Sequence, residues 1–172
     1  QDIPADATET RRTAGPDLDK LSGRVWVTRQ GLHIDRIASA WLIRRFIDPD
    51  ARFKFVPSKG YRAAAGELRF DMFEAEFTHD GDRCTFEVLL DHADLGDRAL
   101  GQIAEIVHDI DVKDGKFDRA EAPGIAQLVA GIAMAHADDQ IRLDRGMAVF
   151  DDLLEFFRRK RRPTAGKPGG QD

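Results

Sequence analysis

The chain has 172 residues, of which 42% are hydrophobic and 33% are charged, and its formal net charge at pH 7 is −5. This length and composition are typical of one globular domain with a sizeable core. The sequence contains no apolar run of about 18 residues, which excludes a membrane-spanning helix. A single cysteine, Cys84, excludes an internal disulfide bond and favours a reducing compartment.

Charge is distributed unevenly along the chain. Residues 158–172 contain six basic residues and one acidic residue, which leaves 20 basic and 30 acidic residues in the rest of the chain. A body this acidic is a poor partner for a phosphate backbone. The basic residues near the C-terminus are interpreted as a solvated helix end whose cations suit the helix dipole, with contact to nucleic acid as the alternative.

Composition also divides the chain into three parts. Residues 1–22 are polar, contain proline and glycine, and show little periodicity, so they are predicted to form a flexible arm or linker. Residues 23–160 carry the periodic apolar patterns of a globular domain. Residues 161–172 are predicted to form a flexible basic tail that also contains glycine.

The most informative stretch is a predicted helix from about His33 to Ile47, which Pro49 ends because the residue before a proline avoids the α region. Apolar residues occupy nearly all of its surface, and such a helix is buried on several sides. The narrow polar stripe that remains contains His33, Arg36 and Arg44. Because unpaired buried charge is costly, we expect this stripe to meet acidic residues, a metal–carboxylate cluster or a bound anion.

Strands are predicted on both sides of this helix. Residues 24–29 are apolar enough for a buried strand, and residues 51–56 alternate between apolar and polar. Residues 68–78 and 82–90 also alternate, and the dipeptide Asp80-Gly81 between them is a strong signal for a hairpin.

Helical periodicity dominates the second half of the chain. It predicts helices over residues 97–111, 122–137 and 141–159. Strands followed by helices indicate an α+β fold. The expected architecture is a mainly antiparallel sheet packed with the helix over residues 33–47 and with a C-terminal helical half. The helix over residues 122–137 has a surface of small residues that could serve a homodimer.

Two residues of the predicted hairpin have expected structural roles. Cys84 lies on the apolar face of the second strand, so it is expected to be a buried small hydrophobe rather than a ligand or a reactive thiol. His79 lies in the hairpin turn, so its side chain is expected to be exposed.

Four parts of the sequence point to a known family. They are the strand Val25-Trp26-Val27-Thr28-Arg29 with the run from His33 to Asp48, then Phe70-Asp71-Met72, Cys84-Thr85-Phe86-Glu87, and Ile106-Val107-His108-Asp109-Ile110-Asp111. In these segments the chain resembles the C-terminal domain of the chromate resistance regulators of the ChrB family. The resemblance covers residues 25–157.

The resemblance implies a cytoplasmic protein connected with transcription regulation, whose ligand is an oxyanion such as chromate. The regulators of this family place a DNA-binding region ahead of this domain, and the present sequence leaves no room for one. We therefore expect no sequence-specific DNA binding by this chain alone, and no association with a membrane.

Several side chains could hold a metal ion. His108 and Asp111 are three residues apart on a predicted helix and are therefore neighbours on its surface. His33 begins the helix over residues 33–47, and Glu87 projects from the polar face of its predicted strand. These four residues are predicted to bind a divalent metal such as Zn²⁺, Fe or Mn, because imidazole and carboxylate groups suit such ions.

Other polar residues are predicted to assist this site. Asp71, Arg36 and Arg44 would support the metal ligands or bind an anion beside them. Two alternatives remain open. The arginines could neutralise the carboxylates without any metal, or His33 and the arginines could hold a tetrahedral oxyanion at the N-terminus of the helix.

Two classes of function follow. The first is a sensing or binding domain of the chromate resistance system, as the resemblance implies. The second is a metal-dependent enzyme of unknown substrate that uses a metal-bound water as its reagent. An oxyanion site needs an electropositive pocket, whereas a metal site needs an excess of carboxylates, and metal analysis of protein purified without chelator would separate these classes.

Overall fold

A small parallel sheet lies at the start of the fold. The computed structural model of the chain describes residue 17 and residues 21–160. Within them, the strands Val25–Arg29 (β1), Arg52–Val56 (β2) and Leu68–Arg69 (β3) form one sheet in the order β2-β1-β3, with both pairs parallel. Nearly all of the arm predicted over residues 1–22, and all of the tail predicted over residues 161–172, lie outside the described residues.

Helices make up about half of the described residues. They are Ile34–Leu42 (α1), Thr85–His92 (α2), Arg98–Asp111 (α3), Ala122–Ala135 (α4) and Asp139–Lys160 (α5). A π-helical segment, Ile43–Ile47, continues α1. No helix among the described residues is both long enough and apolar enough to cross a membrane.

The predicted helix over residues 33–47 exists and is the centre of the core. Eight of the nine residues of α1 are buried. The ring of Trp41 has no exposed surface and lies 6.3 Å from the ring of Phe86 in α2 and 5.5 Å from that of Phe150 in α5. Its indole N–H donates to Asp151 at 2.9 Å. The helix therefore joins the two halves of the chain, as its apolar surface predicts.

The prediction of a mainly antiparallel sheet is wrong. Both strand pairs are parallel, and α1 connects β1 to β2 as a crossover. Parallel neighbours require such a crossover because a short turn cannot reverse the chain twice. The predicted order of strand, helix and strand over residues 24–56 already favoured a parallel pair. The antiparallel prediction came from the hairpin signal at Asp80-Gly81.

The predicted hairpin over residues 68–90 is also wrong. Asp80 and Arg83 do form a tight antiparallel turn, but the segment after it is helix α2 rather than a strand. The Glu87 carboxylate accepts the backbone N–H of Cys84 at 2.9 Å, which caps the start of α2. This spacing of cap and acid three residues later is the helical signal that the alternating pattern obscured. Cys84 itself is buried, as predicted.

The three later helices are confirmed with small shifts of their ends. Asp97 caps α3 by accepting the backbone N–H of Ala99 at 2.8 Å, and Pro123 stands in the first turn of α4, where a missing N–H costs nothing. The end of α3 brings His108 and Asp111 toward the N-terminal halves of α1 and α2. The fold thus brings Asp111 to His79 and His108 to Glu87.

Close packing of α5 on α1 generates a test of this core. A Cβ atom added to Gly146 of α5 would overlap the Cγ2 methyl of Ile37, which has no exposed surface. We expect Gly146→Ala to lower the free energy of unfolding by about 1–3 kcal/mol, the usual cost of overpacking, although alanine is intrinsically the better helix former.

Gly131→Ala in α4 is the matched control, because nothing lies within 4 Å of its added Cβ. This variant should raise the free energy of unfolding by about 0.5–1 kcal/mol. Urea denaturation of both variants measures the difference. Equal stabilisation by the two substitutions would contradict the packing of α5 against Ile37.

Candidate functional site

Polar side chains gather at the edge of the sheet where the parallel strands end. β1 leads through Gly31 into α1, whose first turn carries Asp35, and β3 leads through Phe70 to Asp71. The order β2-β1-β3 makes this edge a topological switch point, because β2 and β3 lie on opposite sides of β1. Ligands of parallel sheets bind at such points.

The buried carboxylate of Asp35 is held by the N-terminus of α2. The side chain is only 2% exposed. Its oxygens accept the backbone N–H of Thr85 at 2.9 Å and of Phe86 at 3.0 Å, and the Ser39 hydroxyl donates at 3.4 Å. A helix N-terminus favours a negative charge, so these contacts offset the cost of burying this carboxylate.

Thr85 of α2, whose amide contacts Asp35, also positions Asp71. The hydroxyl of Thr85 donates to Asp71 Oδ1 at 3.1 Å, while Arg36 Nε lies 3.1 Å from Asp71 Oδ2. The backbone of Asp71 has φ of 46°, in the left-handed region that non-glycine residues rarely adopt. Strain of this kind concentrates at functional sites. Thr85 therefore orients both carboxylates, one through its amide and one through its hydroxyl.

His79 directs one ring nitrogen at three carboxylates. Its Nε2 lies 3.1 Å from Asp35 Oδ2, 3.6 Å from Asp71 Oδ1 and 3.2 Å from Asp111 Oδ2. We call these four residues the Asp35 cluster. Ligand atoms of Asp35, Asp71 and His79 all lie within 4.8 Å of one another. Over residues 21–160, no other group of three such side chains converges as closely.

The close approach of three carboxylates and one imidazole in the Asp35 cluster shifts the pKa values of its members. The hydrogen bond to Asp35 is the main reason that the pKa of His79 rises to about 9, against an opposing effect of burial. Burial, followed by the charge of Asp35, raises the pKa of Asp111 to about 6 and also raises the pKa of Asp71. With His79 neutral and all three carboxylates ionised, the cluster and the Arg36 guanidinium together carry a formal charge of −2.

A second cluster surrounds His108. This imidazole is fully buried, with Nδ1 2.7 Å from Glu87 Oε2 and Nε2 3.0 Å from Asp114 Oδ2. Burial opposes a charge on the ring, but the hydrogen bonds with Glu87 and Asp114 outweigh it and raise the pKa of His108. Because the two carboxylates contact opposite ring nitrogens, this arrangement flanks the imidazole and does not converge on a single ion.

The four residues predicted to bind a metal are divided between these places. Glu87 and His108 contact each other, whereas Asp111 contacts His79 in the Asp35 cluster. His33 precedes α1 as its N-cap residue and lines a cavity together with Asp111. In the described part of the chain, no hydrogen bond or ion pair joins the His33 side chain to Glu87 or His108.

The residues predicted to support the site are also divided. Arg36 pairs with Asp71, so both belong to the surroundings of the Asp35 cluster. Arg44 donates to the carbonyl of Ala51 at 2.8 Å and lies 4.9 Å from the centre of the Phe53 ring, away from the cluster. The contact of Arg36 with Asp71 is an ion pair, as expected if the arginines neutralise the carboxylates without any metal.

Sequence reasoning missed Asp35 and His79. An acidic residue in the first turn of a helix predicted to be buried nearly all round should have drawn attention to Asp35, because such a charge must be compensated. His79 was expected to be exposed in a turn. Its side chain is 45% exposed, yet it contacts carboxylates from α1, α3 and the loop after β3. These contacts join distant parts of the chain, so no local pattern marks them.

The raised pKa of His79 predicts how stability depends on pH in metal-free protein. The charged imidazole stabilises the folded state fully below its unfolded-state pKa of about 6.5. This stabilisation is lost as the pH rises through about 9. Urea denaturation in EDTA should therefore show that wild type exceeds His79→Asn in stability at about pH 6.5, and that the difference shrinks above about pH 9. A difference that stays constant over this range would contradict the contacts of His79.

Comparison with known proteins agrees with the segments singled out in the sequence. A family model described as ChrB, C-terminal domain, matches residues 26–157. Protein ChrB of Cupriavidus metallidurans is 41% identical over 142 residues, which are 82% of this chain and 43% of that protein. The chain thus spans less than half the length of the curated relative it matches. No solved structure matches it.

The family match covers most of the described residues, including every member of the Asp35 cluster and of the cluster around His108. The identity to Protein ChrB extends over most of the chain. The chain belongs to the family of ChrB C-terminal domains, the chromate resistance family that its sequence resembles.

Proposed function

We propose that this domain binds one divalent metal ion at the Asp35 cluster and serves the chromate resistance system as a sensing or binding domain. The observation that carries the proposal is the approach of three carboxylates to His79 Nε2, at 3.1, 3.2 and 3.6 Å. An ion between these groups would replace the proton that the imidazole otherwise needs. Imidazole and carboxylate ligands suit Zn²⁺, Mn²⁺ and Fe²⁺.

The charge of the cluster supports a divalent ion. Once His79 is neutral, the three carboxylates and Arg36 carry two excess negative charges, which one divalent cation would balance. The alternative is a metal-free ion-pair network in which a protonated His79 supplies only one positive charge. Such a network would leave one excess negative charge among the partly buried carboxylates of Asp71 and Asp111, which is less favourable than a neutral site.

The surroundings of the cluster supply the support that a metal site requires. Thr85 fixes two of the carboxylates through its amide and hydroxyl groups. Arg36 fixes Asp71 from the other side. Hydrogen bonds of this kind orient ligands before the ion binds, and their loss typically lowers metal affinity about 10- to 100-fold.

A metal at this cluster would also explain how an acidic domain could attract an oxyanion. Three carboxylates repel chromate, and Arg36 already pairs with Asp71. A bound cation with free coordination positions would attract an oxyanion directly. The link to chromate comes from the family to which the chain belongs, and we extend it to this site as part of the proposal.

A metal-dependent enzyme is the second candidate. A cavity lined by Asp111 lies beside the cluster and could admit a substrate. Catalytic metal sites keep a coordination position open for water next to such a space. Turnover of a bound organic molecule by the metal-loaded domain would favour this candidate over a sensing domain.

Metal titration of variants tests the proposed site. We expect wild type to bind one equivalent of Zn²⁺ or Mn²⁺ by isothermal titration calorimetry. His79→Gln and Asp71→Asn should each lower the affinity by at least about 100-fold, because loss of a ligand exceeds the effect of losing a supporting hydrogen bond. Binding should release protons near neutral pH, since the ion displaces the proton of His79.

Glu87→Gln provides the matched control. It changes a carboxylate that contacts a histidine, but in the cluster around His108 instead of the Asp35 cluster. Its metal affinity should remain within about threefold of wild type. Mutations at sites that do not share partners usually act independently, to within a few tenths of a kcal/mol. If Glu87→Gln abolishes binding while His79→Gln does not, the metal lies elsewhere and the proposal fails.

A further inference from the structure

A cavity of about 680 Å³ lies beside the Asp35 cluster. One wall is polar and includes His33, Asp111 and Lys113. Another wall is the apolar side of α4, formed by Ala122, Pro123, Ala126, Val129 and Ala130. Asp111 contacts His79 and also lines the cavity, so the cavity adjoins the metal site proposed above.

The size of this cavity is informative about its occupant. Pockets for small organic ligands have volumes of about 300–1,000 Å³. A single tetrahedral oxyanion would fill only a small part of 680 Å³ and would leave the wall of α4 in contact with water. The cavity is therefore larger than a bare oxyanion requires, and it suits an organic molecule.

The wall of α4 specifies an apolar body. This helix carries no charged side chain over its fourteen residues. Its small side chains Ala126 and Ala130 keep the cavity wide, whereas larger residues at these positions would fill it. Contact of a hydrocarbon group with such a wall removes apolar surface from water on both sides, which favours binding.

The polar wall specifies an anionic group. In the described part of the chain, neither His33 nor Lys113 makes a side-chain hydrogen bond or ion pair. Arg119 is already neutralised by Glu105 and Glu121, at 3.3 and 3.0 Å. The groups free to receive a ligand at this wall are therefore an imidazole and an ammonium group, both able to donate to an anion.

The acidic residues that line the cavity do not prevent an anion from binding at His33 and Lys113. Asp109 accepts the backbone N–H groups of Phe117 and Arg119 at 3.1 and 2.7 Å, so it acts as a local cap. Asp111 is engaged with His79. Asp118 is exposed and makes no ion pair within the described residues, and it would disfavour an anion placed near it. The anionic group therefore belongs at His33 and Lys113.

We propose that this cavity binds a small organic anion of the carboxylate or sulfonate class. Its anionic group would lie at His33 and Lys113, and its hydrocarbon body would lie along α4. This inference goes beyond metal binding, and only a contact between the anionic group and the metal rests on the function proposed above.

Calorimetric titration with three probes tests the ligand class. The probes are naphthalenesulfonate, the neutral naphthalenemethanol, and inorganic sulfate, each added to the full chain in EDTA and again with saturating Mn²⁺. We expect the sulfonate to bind at least about tenfold more tightly than the alcohol, the effect of one charge-assisted contact. Sulfate at equal concentration should not displace it.

Matched variants locate the binding site. Ala126→Trp should fill the cavity and weaken sulfonate binding at least about tenfold. Ala135→Trp, on an exposed part of the same helix, should leave it unchanged. Lys113→Gln changes an exposed side chain and leaves the packing of the core unchanged. It should also weaken sulfonate binding about tenfold.

The outcomes separate this inference from the proposed metal site. Equal sulfonate affinity of wild type and Ala126→Trp would overturn the inference, as would equal binding of sulfonate and alcohol or the absence of sulfonate binding in both metal states. A protein that binds the sulfonate in EDTA but takes up no Mn²⁺ would contradict only the proposed metal site.

Discussion

The carboxylate of Asp35 is buried where α1, α2 and the turn that carries His79 meet. A buried charge is unfavourable unless it is fully compensated. Here the amides of Thr85 and Phe86 and the imidazole of His79 provide the compensation, at 2.9 to 3.1 Å. The start of α2 and the position of His79 depend on this one group, and Thr85, whose amide contacts it, also orients Asp71 through its hydroxyl. The same contacts that stabilise the junction also bring one imidazole and three carboxylates together at the carboxyl edge of the sheet.

Helices and strands whose apolar residues follow a clear local periodicity could be predicted from the sequence. The apolar helix that contains Trp41 and the buried strand before it follow from periodicity, and the three C-terminal helices follow from their apolar faces and caps. Helix α2 was not predicted, because Cys84, Phe86, Val88 and Leu90 alternate as a strand would and obscure the local cap formed by Glu87. Its start is stabilised by the carboxylate of Asp35, fifty residues away in the chain. Tertiary contact therefore overrode the local pattern.

The site was predicted only in part for the same reason. Asp71 and Arg36 were chosen as supporting residues, and the structure brings them together. Asp111 was grouped with His108 because they are neighbours on α3, yet their side chains enter different clusters. A helix places residues three apart on one side, but it does not determine which partners they meet. His79 has no sequence signal at all, since its partners come from three other parts of the chain.

Two histidines of this ChrB-family domain have carboxylate partners but differ in geometry. His108 is enclosed between two carboxylates on opposite ring nitrogens, which suits a buried link between α2, α3 and the loop after α3. His79 is half exposed and faces its carboxylates with one nitrogen, beside an open cavity. Convergence of the carboxylates on one ring nitrogen and access to solvent therefore distinguish the Asp35 cluster from the enclosed cluster around His108.

The most direct test of the metal site is a crystal structure of the chain soaked in Zn²⁺, with anomalous scattering measured at the zinc edge. The account predicts one strong anomalous peak about 2.0–2.2 Å from His79 Nε2 and from carboxylate oxygens of Asp35 and Asp71. Density in which these groups remain about 3 Å apart, joined only by hydrogen bonds and without an anomalous peak, would contradict it.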